Sequence, residues 1–593
     1  MAEDFLKYFE FELSLIRNAY REFLAGESVQ DDDGGSPAVY DDPHMQRLLE
    51  GVAFLTAKTE HSLDQQFPEL TRSLLQLNYP GLDDIVPAAT LLALRPDRES
   101  LGAIKSIQKG VRLSPQEKEA SSVICSVAAD TCLYPFVVHA VQAQVAPFEF
   151  MGEEFDSSAD VVIRVALEMN DPSATFSSLD LNELDFLIEG DRAASGRMQE
   201  ILFSRLTNIH LGQGDDTSLG FLDLDSLKPR AFDEDFCFLE KTGNSYLGLQ
   251  IVKEFFAYPI KQAFVRLRDM GDAVRQCHSR HLWIDFFVKN MTAHEIRAVS
   301  DTTFQINVVP IVNQFVARGE PIRYEHTSIR VPVFADANAS EHTKISRIDT
   351  VFEVTPQGEV EIPRLYSFGY FKRRPRVCWE AQRRLDSRGR LRHEVLFSLP
   401  DVDLGALPLL FSARVICTNG DLSLRYDRLT DWACIDSVEF PGRLEMLTSF
   451  STEMEPSDDE QANWRLLAIL NFNFHNIVGS KKPCDALKQF LLLCAPGDLT
   501  PTQVSAISKV SISHPVKSLM IQNHNIVSQG THFSIVIDSK RNRNQYSMLG
   551  RLVHHVFLDM CSFDRYVETD VYIEGVAEKV ATYGPDHGSQ ICT

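Results

Sequence analysis

Residues 5–23 read FLKYFEFELSLIRNAYREF. Six apolar side chains recur in this stretch at spacings of three and four residues, which places them on one face of a helix. They are Phe5, Phe9, Leu13, Ile16, Tyr20 and Phe23. Two interpretations of this face remain open: it packs against a second helix of the same chain, or it enters a helical bundle shared with partner chains. Periodicity alone does not separate them.

The sequence on either side of residue 42 predicts how this helical region continues. Residues 31–37 combine repelling carboxylates with turn-forming Gly, Ser and Pro, which predicts an exposed loop. Asp42-Pro43 then supplies a helix cap and a first-turn proline for a second helix through residues 48–55. A third helix is expected to start at Pro68 and to end before Tyr79.

From about Val86 the pattern changes to short runs rich in β-branched and aromatic residues, separated by Pro, Gly, Asn and Asp. The runs expected to form strands include residues 161–167, 282–288, 304–309 and 409–417. The helices expected among or after them cover residues 191–206, 464–470, 484–493 and 547–560. The predicted fold class is therefore α+β: an N-terminal helical bundle segment, several mainly-β domains and a mixed α/β C-terminal part.

The length of 593 residues predicts three or four domains, because one domain usually takes roughly 100–200 residues. Polar stretches at residues 80–87, 212–225 and 453–461 are the candidate boundaries. The predicted segments are 1–85 with the N-terminal helices, 86–215 rich in β structure, a β-rich region over 216–455 that holds one or two subdomains, and an α+β domain over 456–593.

Charge and composition exclude several classes of partner. The net charge is −25 and the pI is near 5.1, so the surface repels nucleic-acid phosphates and anionic lipids. The N-terminus lacks the basic and apolar regions of a secretory signal, and no apolar run reaches the roughly 18–20 residues that cross a bilayer. We expect a cytoplasmic chain without direct membrane insertion. Its 11 cysteines form no CxxC pair and are expected to be reduced and mostly buried.

Motifs for enzyme chemistry are missing from the sequence. It contains no phosphate-binding GxxxxGK[ST] loop, no GxGxxG fingerprint, no GxSxG turn and no HExxH helix. The best candidate for a metal is the cluster Cys277, His278 and His281, but two flanking arginines disfavour a cation there, so a structural role is preferred. We expect no enzyme, no cofactor and no metal site.

Two further clusters carry histidine or positive charge. His554-His555 lies on a predicted helix, where adjacent side chains diverge, so a packed or solvated pair is expected. A basic segment contains Lys372, Arg373, Arg374 and Arg376, with five more arginines by residue 392. Arginine forks suit carboxylates, so this segment is a candidate docking surface for an acidic neighbouring subunit or another copy. The alternative, a solvated or internally paired hairpin, stays open, and nucleic acid is the least favoured reading.

Two blocks in the N-terminal region resemble the TssF family, also called ImpG or VasA, of type VI secretion baseplate proteins. They are residues 48–58, LLEGVAFLTAK, and residues 67–80, FPELTRSLLQLNYP. Weaker similarities in the same order include residues 255–259, 309–315, 417–422 and 464–473. The chain departs from the family pattern at residues 125–130 and 561–564, and at Gly420 and Ser423, as a divergent member would.

The resemblance implies a structural wedge subunit, not an enzyme, that scaffolds the baseplate around the spike and couples it to the contractile sheath. Two copies would join one TssG-like protein, with TssK, TssE and the VgrG spike as neighbours, and the N-terminal helices would enter the bundle with TssG. The baseplate would be cytoplasmic and docked to the inner-membrane complex through partners. The alternatives are a wedge protein of a phage-tail-like or extracellular contractile injection system and, more remotely, a secreted effector enzyme.

Overall fold

The structure is a computed structural model, and its described residues fall into many ranges separated by gaps. They are 2–27, 44, 46–59, 81, 84–96, 101–116, 123–148, 158–214, 217–240, 247–325, 330–335, 342–365, 377–385, 391–399, 409–428, 430–455, 480, 482–494, 500–521, 524–538, 546–562, 565–576 and 578–588. The predicted loop at 31–37 and the predicted helices at 68–79 and 464–470 lie outside the described residues.

Helices occur at both ends of the chain and between strands. They are α1 (Ala2–Glu27), α2 (residues 46–59), α3 (Arg192–Ser204), α4 (Leu247–Ala257), α5 (Gly271–Gln276), α6 (Ala293–Ala298), α7 (Pro483–Cys494), α8 (Thr500–Ser505) and α9 (Tyr546–Met560). No helix in this described part of the chain combines the length and apolar character that a bilayer-spanning segment requires.

Strands dominate the chain after residue 88. The first fifteen are β1 (Ala89–Pro96), β2 (Lys105–Ile107), β3 (Arg112–Pro115), β4 (Cys125–Val127), β5 (Thr131–Leu133), β6 (Phe136–Val145), β7 (Val161–Met169), β8 (Leu184–Ile188), β9 (Leu206–Gln213), β10 (Ser218–Leu222), β11 (Leu227–Pro229), β12 (Phe264–Leu267), β13 (His281–Val288), β14 (Phe304–Gln305) and β15 (Val308–Val312). The others are β16 (Phe315–Arg318), β17 (Ile322–Tyr324), β18 (Arg330–Pro332), β19 (Lys344–Thr355), β20 (Gly358–Ile362), β21 (Cys378–Leu385), β22 (Leu391–Ser398), β23 (Leu409–Thr418), β24 (Asp431–Cys434), β25 (Gly442–Met446), β26 (Ile507–Ser513), β27 (Val516–Ile521), β28 (His524–Ile537), β29 (Tyr566–Ile573) and β30 (Lys579–His587).

These strands form a closed barrel and several open sheets. The barrel runs in the order β1-β15-β4-β3-β24-β25. The larger open sheets run β10-β9-β13-β7-β6, β11-β12-β8-β14, β16-β23-β19-β20 with β17 on β23, and β26-β28-β29-β30 with β27 on β28. Smaller sheets join β18-β22-β21 and β2-β5. The protein is thus mixed α/β and mostly β, as the sequence predicts at that level.

Several predicted elements are confirmed within a few residues. The runs at 161–167, 282–288 and 409–417 lie in β7, β13 and β23, and the predicted helices at 484–493 and 547–560 lie in α7 and α9. The predicted helix at 191–206 is α3, and it begins where the Asp191 carboxylate accepts a hydrogen bond from the Ala194 backbone N–H at 2.7 Å. Hydrophobic periodicity and caps therefore locate these elements.

The prediction of one strand over residues 304–309 is wrong, because the run is divided between β14 and β15. Asn307 interrupts it with a left-handed φ of 58°. Its side-chain oxygen accepts a hydrogen bond from the Tyr134 backbone N–H at 2.6 Å, and its amide nitrogen donates to the Tyr134 carbonyl at 3.1 Å. Asparagine tolerates this backbone conformation, and the paired amide holds it there.

The chain divides into two units, residues 1–78 with 457–470, and residues 79–456 with 471–593. In the first unit, α1 contacts α2: the Phe9 and Phe54 ring centroids lie 6.4 Å apart, and Arg17 reaches Glu50 at 3.8 Å. In the second unit, the barrel takes β1, β3 and β4 from the predicted segment 86–215 and β15, β24 and β25 from 216–455. The four-segment division itself stays a prediction.

Candidate functional site

The helical face predicted from the sequence lies partly in the contact between α1 and α2. Phe9, Leu13 and Ile16 are half-buried, and the Phe9 ring meets Phe54 edge-on, at 67° between the ring planes. The structure describes the backbone but not the side chains of the other three predicted residues, which are Phe5, Tyr20 and Phe23. Packing within the chain therefore accounts for part of this face.

Other apolar side chains of these helices are exposed. On α1 they are Leu6, Phe11 and Leu15, at 53%, 59% and 49% exposure. On α2 they are Leu48, Val52, Phe54 and Leu55, at 46% to 64%. Phe11 and Leu15 are four residues apart and fall on the side of α1 opposite Phe9 and Leu13. Sequence reasoning missed this second side, although the i, i+4 spacing of the two residues was a readable signal.

The basic segment with Lys372, Arg373, Arg374 and Arg376 lies outside the described residues, so its role stays a prediction. Arg383, one of the arginines that continue it, is buried and donates to the Asp84 carboxylate at 2.8 Å. Arg347 donates to the other Asp84 oxygen at 3.1 Å. Arg383 therefore serves an internal ion pair.

Asp84 is the centre of a group of charged residues near the start of the second unit, residues 79–456 with 471–593, which we call the β region. Burial alone would raise the pKa of its carboxyl, but Arg383, Arg347 and Lys253 together hold the pKa below its usual value. The Lys253 ammonium also donates to the carbonyls of Gly81 and Asp84, at 2.8 and 3.0 Å. Gly81 and Asp84 are thus held through their backbone carbonyls, and Asp84 is also held through its side chain.

A second buried ion pair joins α4 to the segment that follows it. The Lys261 ammonium donates to the Glu254 carboxylate, and both residues are 0% to 1% exposed. The backbone N–H groups of Phe238 and Leu239 donate to the same carboxylate at 3.1 and 2.9 Å. Every one of these partners is internal, so the pair joins parts of the β region to one another.

Two members of the Cys277, His278 and His281 cluster contact groups of the same chain. Cys277 is buried, and its sulfur lies 3.7 Å from the His281 carbonyl oxygen, as a weak S–H donor would. The His278 Nδ1 atom lies 3.3 Å from the Ser177 hydroxyl. Throughout the described residues, no group of three or more His, Cys, Asp and Glu side chains is arranged to hold a metal ion.

His554 and His555 point in different directions, as adjacent residues of a helix do: their ring centroids lie 6.0 Å apart at 71°. His554 contacts the Thr569 hydroxyl at 3.1 Å and the Asp586 carboxylate at 2.9 Å. His555 stacks on Phe232 at 4.9 Å, and burial, followed by the charges of His554 and Arg551, lowers the pKa of His555 to about 3. This pair packs α9 and does not form one ligand set.

Four residues, one on each of the strands β7, β9, β10 and β13, form a polar cluster that the sequence did not reveal. His210 Nδ1 lies 3.2 Å from the Asp285 carboxylate, and His210 Nε2 lies 2.9 Å from the Ser218 hydroxyl. The connectivity is that of a hydroxyl, a base and a carboxylate. However, the Arg164 guanidinium donates to both oxygens of Asp285, at 2.7 and 3.0 Å. The carboxylate is therefore already neutralised, and the cluster ties β7, β9, β10 and β13 together.

Comparisons with known proteins identify the family of this chain. The family described as "Type VI secretion system, TssF" matches residues 1–590. A relative from Pseudomonas aeruginosa, the type VI secretion system component TssF1, is 26% identical over 98% of this chain and 96% of its own length.

Two solved structures share the fold. One, of the TssK-TssF-TssG baseplate subcomplex, aligns with a TM-score of 0.74 at 17% identity, over 92% of this chain and 99% of the other. The second, of the type VI secretion baseplate complex, aligns with a TM-score of 0.54 at 17% identity, over 96% of each chain. The chain belongs to the TssF family and is a structural subunit of the type VI secretion system baseplate.

Proposed function

We propose that this chain is a wedge subunit in which α1 and α2 form a helical bundle with a TssG-like protein and a second copy of the chain. The observation that carries the proposal is the exposure of apolar side chains on both helices, for example 49% at Leu15 of α1 and 64% at Leu55 of α2. A helix that is apolar on more than one side is typical of a bundle interior. The contact of Phe9 with Phe54 leaves Phe11 and Leu15 for another chain.

The β region would be the rigid body that such a bundle carries. Its internal anchors, among them the Glu254 and Lys261 pair, hold it without help from partners. Similarity to the TssK-TssF-TssG subcomplex supports TssK and the TssG-like protein as partners. TssE and the VgrG spike would be further neighbours, as the family resemblance of the sequence implies. The four predicted segments, beginning with residues 1–85, would be the structural divisions of the whole chain.

The role we propose is mechanical and needs no catalytic group. Rearrangement of packed interfaces between wedges would couple the spike to contraction of the sheath. The baseplate would assemble in the cytoplasm and dock to the inner-membrane complex through partner proteins. The family and its structural neighbours are baseplate components, which supports this non-enzymatic role.

Co-expression with the TssG-like protein encoded nearest to this chain tests the wedge. Size-exclusion chromatography with mass determination is expected to give a complex with two copies of this chain per partner. A double substitution, Phe9→Asp with Ile16→Asp, is expected to abolish that complex, because it places unpaired carboxylates in the bundle. Ser14→Asp, which adds one carboxylate at an exposed position of α1, is the control and should leave assembly intact. A monomer that ignores the partner would contradict the proposal.

The basic segment supplies a separate test of a charged contact between subunits. Reversal of charge at Arg373 and Arg374 to Glu is expected to weaken a wedge contact, and raising the salt concentration should weaken the wild-type contact in the same way. Screening acts on exposed charge pairs, so the two effects should not add. Assembly at wild-type level after the reversal would instead assign the segment to a solvated surface.

A further inference from the structure

The hairpin formed by β27 and β28 extends beyond the sheet to which it belongs. The second half of β28, Gly530–Ile537, lies between β26 and β29. The first half, His524–Gln529, pairs with β27 on one side only. Among the described residues, no strand pairs with its other side, where β29 begins only at Tyr566, opposite Gly530. The result is an opening one strand wide and six residues, or about 20 Å, long.

Hydrogen bonding at the base of the hairpin determines which backbone groups face this opening. The Gly530 N–H donates to the Pro515 carbonyl at 2.9 Å, so residues 515 and 530 form a hydrogen-bonded pair. Such pairs alternate with non-bonded pairs along an antiparallel ladder. The unbroken register from Val516–Gln529 to Ile521–His524 then directs the backbone groups of three residues of β28 outward. They are Asn525, Val527 and Gln529.

The base of the hairpin is held firmly, so the edge is preformed. The buried Tyr566 ring covers Gly530 so closely that a Cβ atom there would lie 2.1 Å from it. The Tyr566 hydroxyl donates to the Pro515 carbonyl at 3.1 Å. Lys517, on β27, reaches across β28 to the Glu568 carboxylate of β29 at 2.5 Å. A two-stranded hairpin is marginal alone, and these contacts fix its start.

The composition of the hairpin indicates what kind of strand would pair with the open edge of β28. Residues 518–531 contain no Asp, Glu, Lys or Arg, in a chain whose net charge is −25. Val527, at the middle of the edge, is 72% exposed. A charged strand would lose hydration here without meeting an opposite charge, whereas an aliphatic one would cover Val527. Strand edges in native sheets often carry a charged residue or a proline that prevents pairing, and residues 524–529 contain no Asp, Glu, Lys, Arg or Pro.

We propose that the edge of β28 at residues 524–529 receives an extended, uncharged segment with alternating aliphatic side chains from a partner chain of the baseplate. Backbone hydrogen bonds to Asn525, Val527 and Gln529 would add the segment as a strand beside β28. Six residues bury far less than the roughly 1,200 Å² of a stable independent interface. The contact therefore belongs to an assembly held elsewhere, and in this respect it rests on the proposed wedge function.

Hydrogen exchange with residue-level fragmentation tests the inference on the full chain, alone and in its complex with TssG-like and TssK proteins. Assembly is expected to slow exchange at the amides of Asn525, Val527 and Gln529 at least about tenfold. The amides of Ser518 and Met520, which face outward from the opposite edge of the same hairpin, should not change and serve as the internal control. Protection should appear at the same time in an uncharged segment of a different chain.

Paired proline variants separate the edge from the fold. Val527→Pro removes an outward N–H, so the hairpin keeps its own hydrogen bonds while the added strand loses one. It should abolish protection at Asn525 and Gln529, whereas Ser518→Pro on the opposite edge should not. Unchanged exchange in a complex that forms normally would overturn this inference and leave the wedge intact. If the protected partner segment is the same hairpin of a second copy, the choice of partner is wrong. If the wild-type chain does not assemble with the TssG-like and TssK proteins, both proposals are wrong.

Discussion

In α1 and α2, Leu15 and Leu55 expose 49% and 64% of their surface, whereas Phe286 and Phe304 in the β region expose 0% and 1%. The two phenylalanines stack at 5.9 Å within one continuous core. The β region also pairs its buried charges internally, as Glu254 and Lys261 do. The difference separates two kinds of element: the β sheets bury their apolar side chains in their own cores, and α1 and α2 leave apolar side chains exposed.

The most damaging change to the β region should be Lys261→Met, which leaves the Glu254 carboxylate buried without its cation. Loss of one partner from a buried ion pair costs about 3–5 kcal/mol. We expect the free energy of unfolding of the chain, measured by urea denaturation, to fall by that order.

Arg443→Met is the matched control, because it also removes one partner of an ion pair. Arg443 binds Asp431 at 2.6 Å, but the Arg443 side chain is 62% exposed, and surface pairs contribute little. Its urea midpoint should not move measurably. Equal effects of the two substitutions would mean that the buried pair does not stabilise the β region.

Acid should weaken the packing of α9 through His555. Because the folded-state pKa of His555 is lowered to about 3, the unfolded chain binds a proton at this residue as pH falls below about 6.5, and the folded chain does not. Stability from this residue is therefore complete above pH 6.5 and is lost as pH falls toward 3. One proton corresponds to a slope of about 1.4 kcal/mol per pH unit.

His555→Gln should reduce that slope by up to this amount when urea denaturation is repeated between pH 7.5 and pH 5. His294→Gln replaces an exposed histidine and should leave the slope as it is. A wild-type slope in the His555 variant would show that the residue is protonated in the folded chain. In that case the burial of His555 would not be one of the internal contacts that distinguish the β region from α1 and α2.

Periodicity and capping predicted individual elements of the fold, but not how they pair. The sequence located β13 and α3 because their apolar patterns are local signals. The barrel was not predictable in this way: Leu92 pairs with Val309 on one side and Met446 on the other. Alternation indicates which residues share a face of a strand, and it contains no information about the neighbouring strand.

The candidate surfaces show the same limit. The face with Phe9 and Leu13 follows from spacing, whereas the open edge at Val527 depends on where β29 begins relative to β28. The His210 and Asp285 contact likewise joins residues from different strands. Family resemblance supplied the assembly, because the blocks that carry it are long, but no local pattern indicates which apolar side chains remain exposed.

The smallest effect on folding should come from a substitution on α1, and this substitution tests most directly whether the exposed apolar side chains bind another chain. Leu15→Ser replaces a side chain that is already half exposed, so the free energy of unfolding of the isolated chain should change by no more than about 0.5 kcal/mol. The same substitution should weaken the complex with the TssG-like protein, because there Leu15 would be buried. Leu13→Ser, on the side that faces α2, is the contrasting variant and should weaken folding of the helical region as well. If Leu15→Ser destabilises the isolated chain as much as Leu13→Ser does, this side of α1 is packed within the chain itself. If it changes neither folding nor assembly, the exposed side of α1 is not a bundle surface, and the partner must be held by other residues.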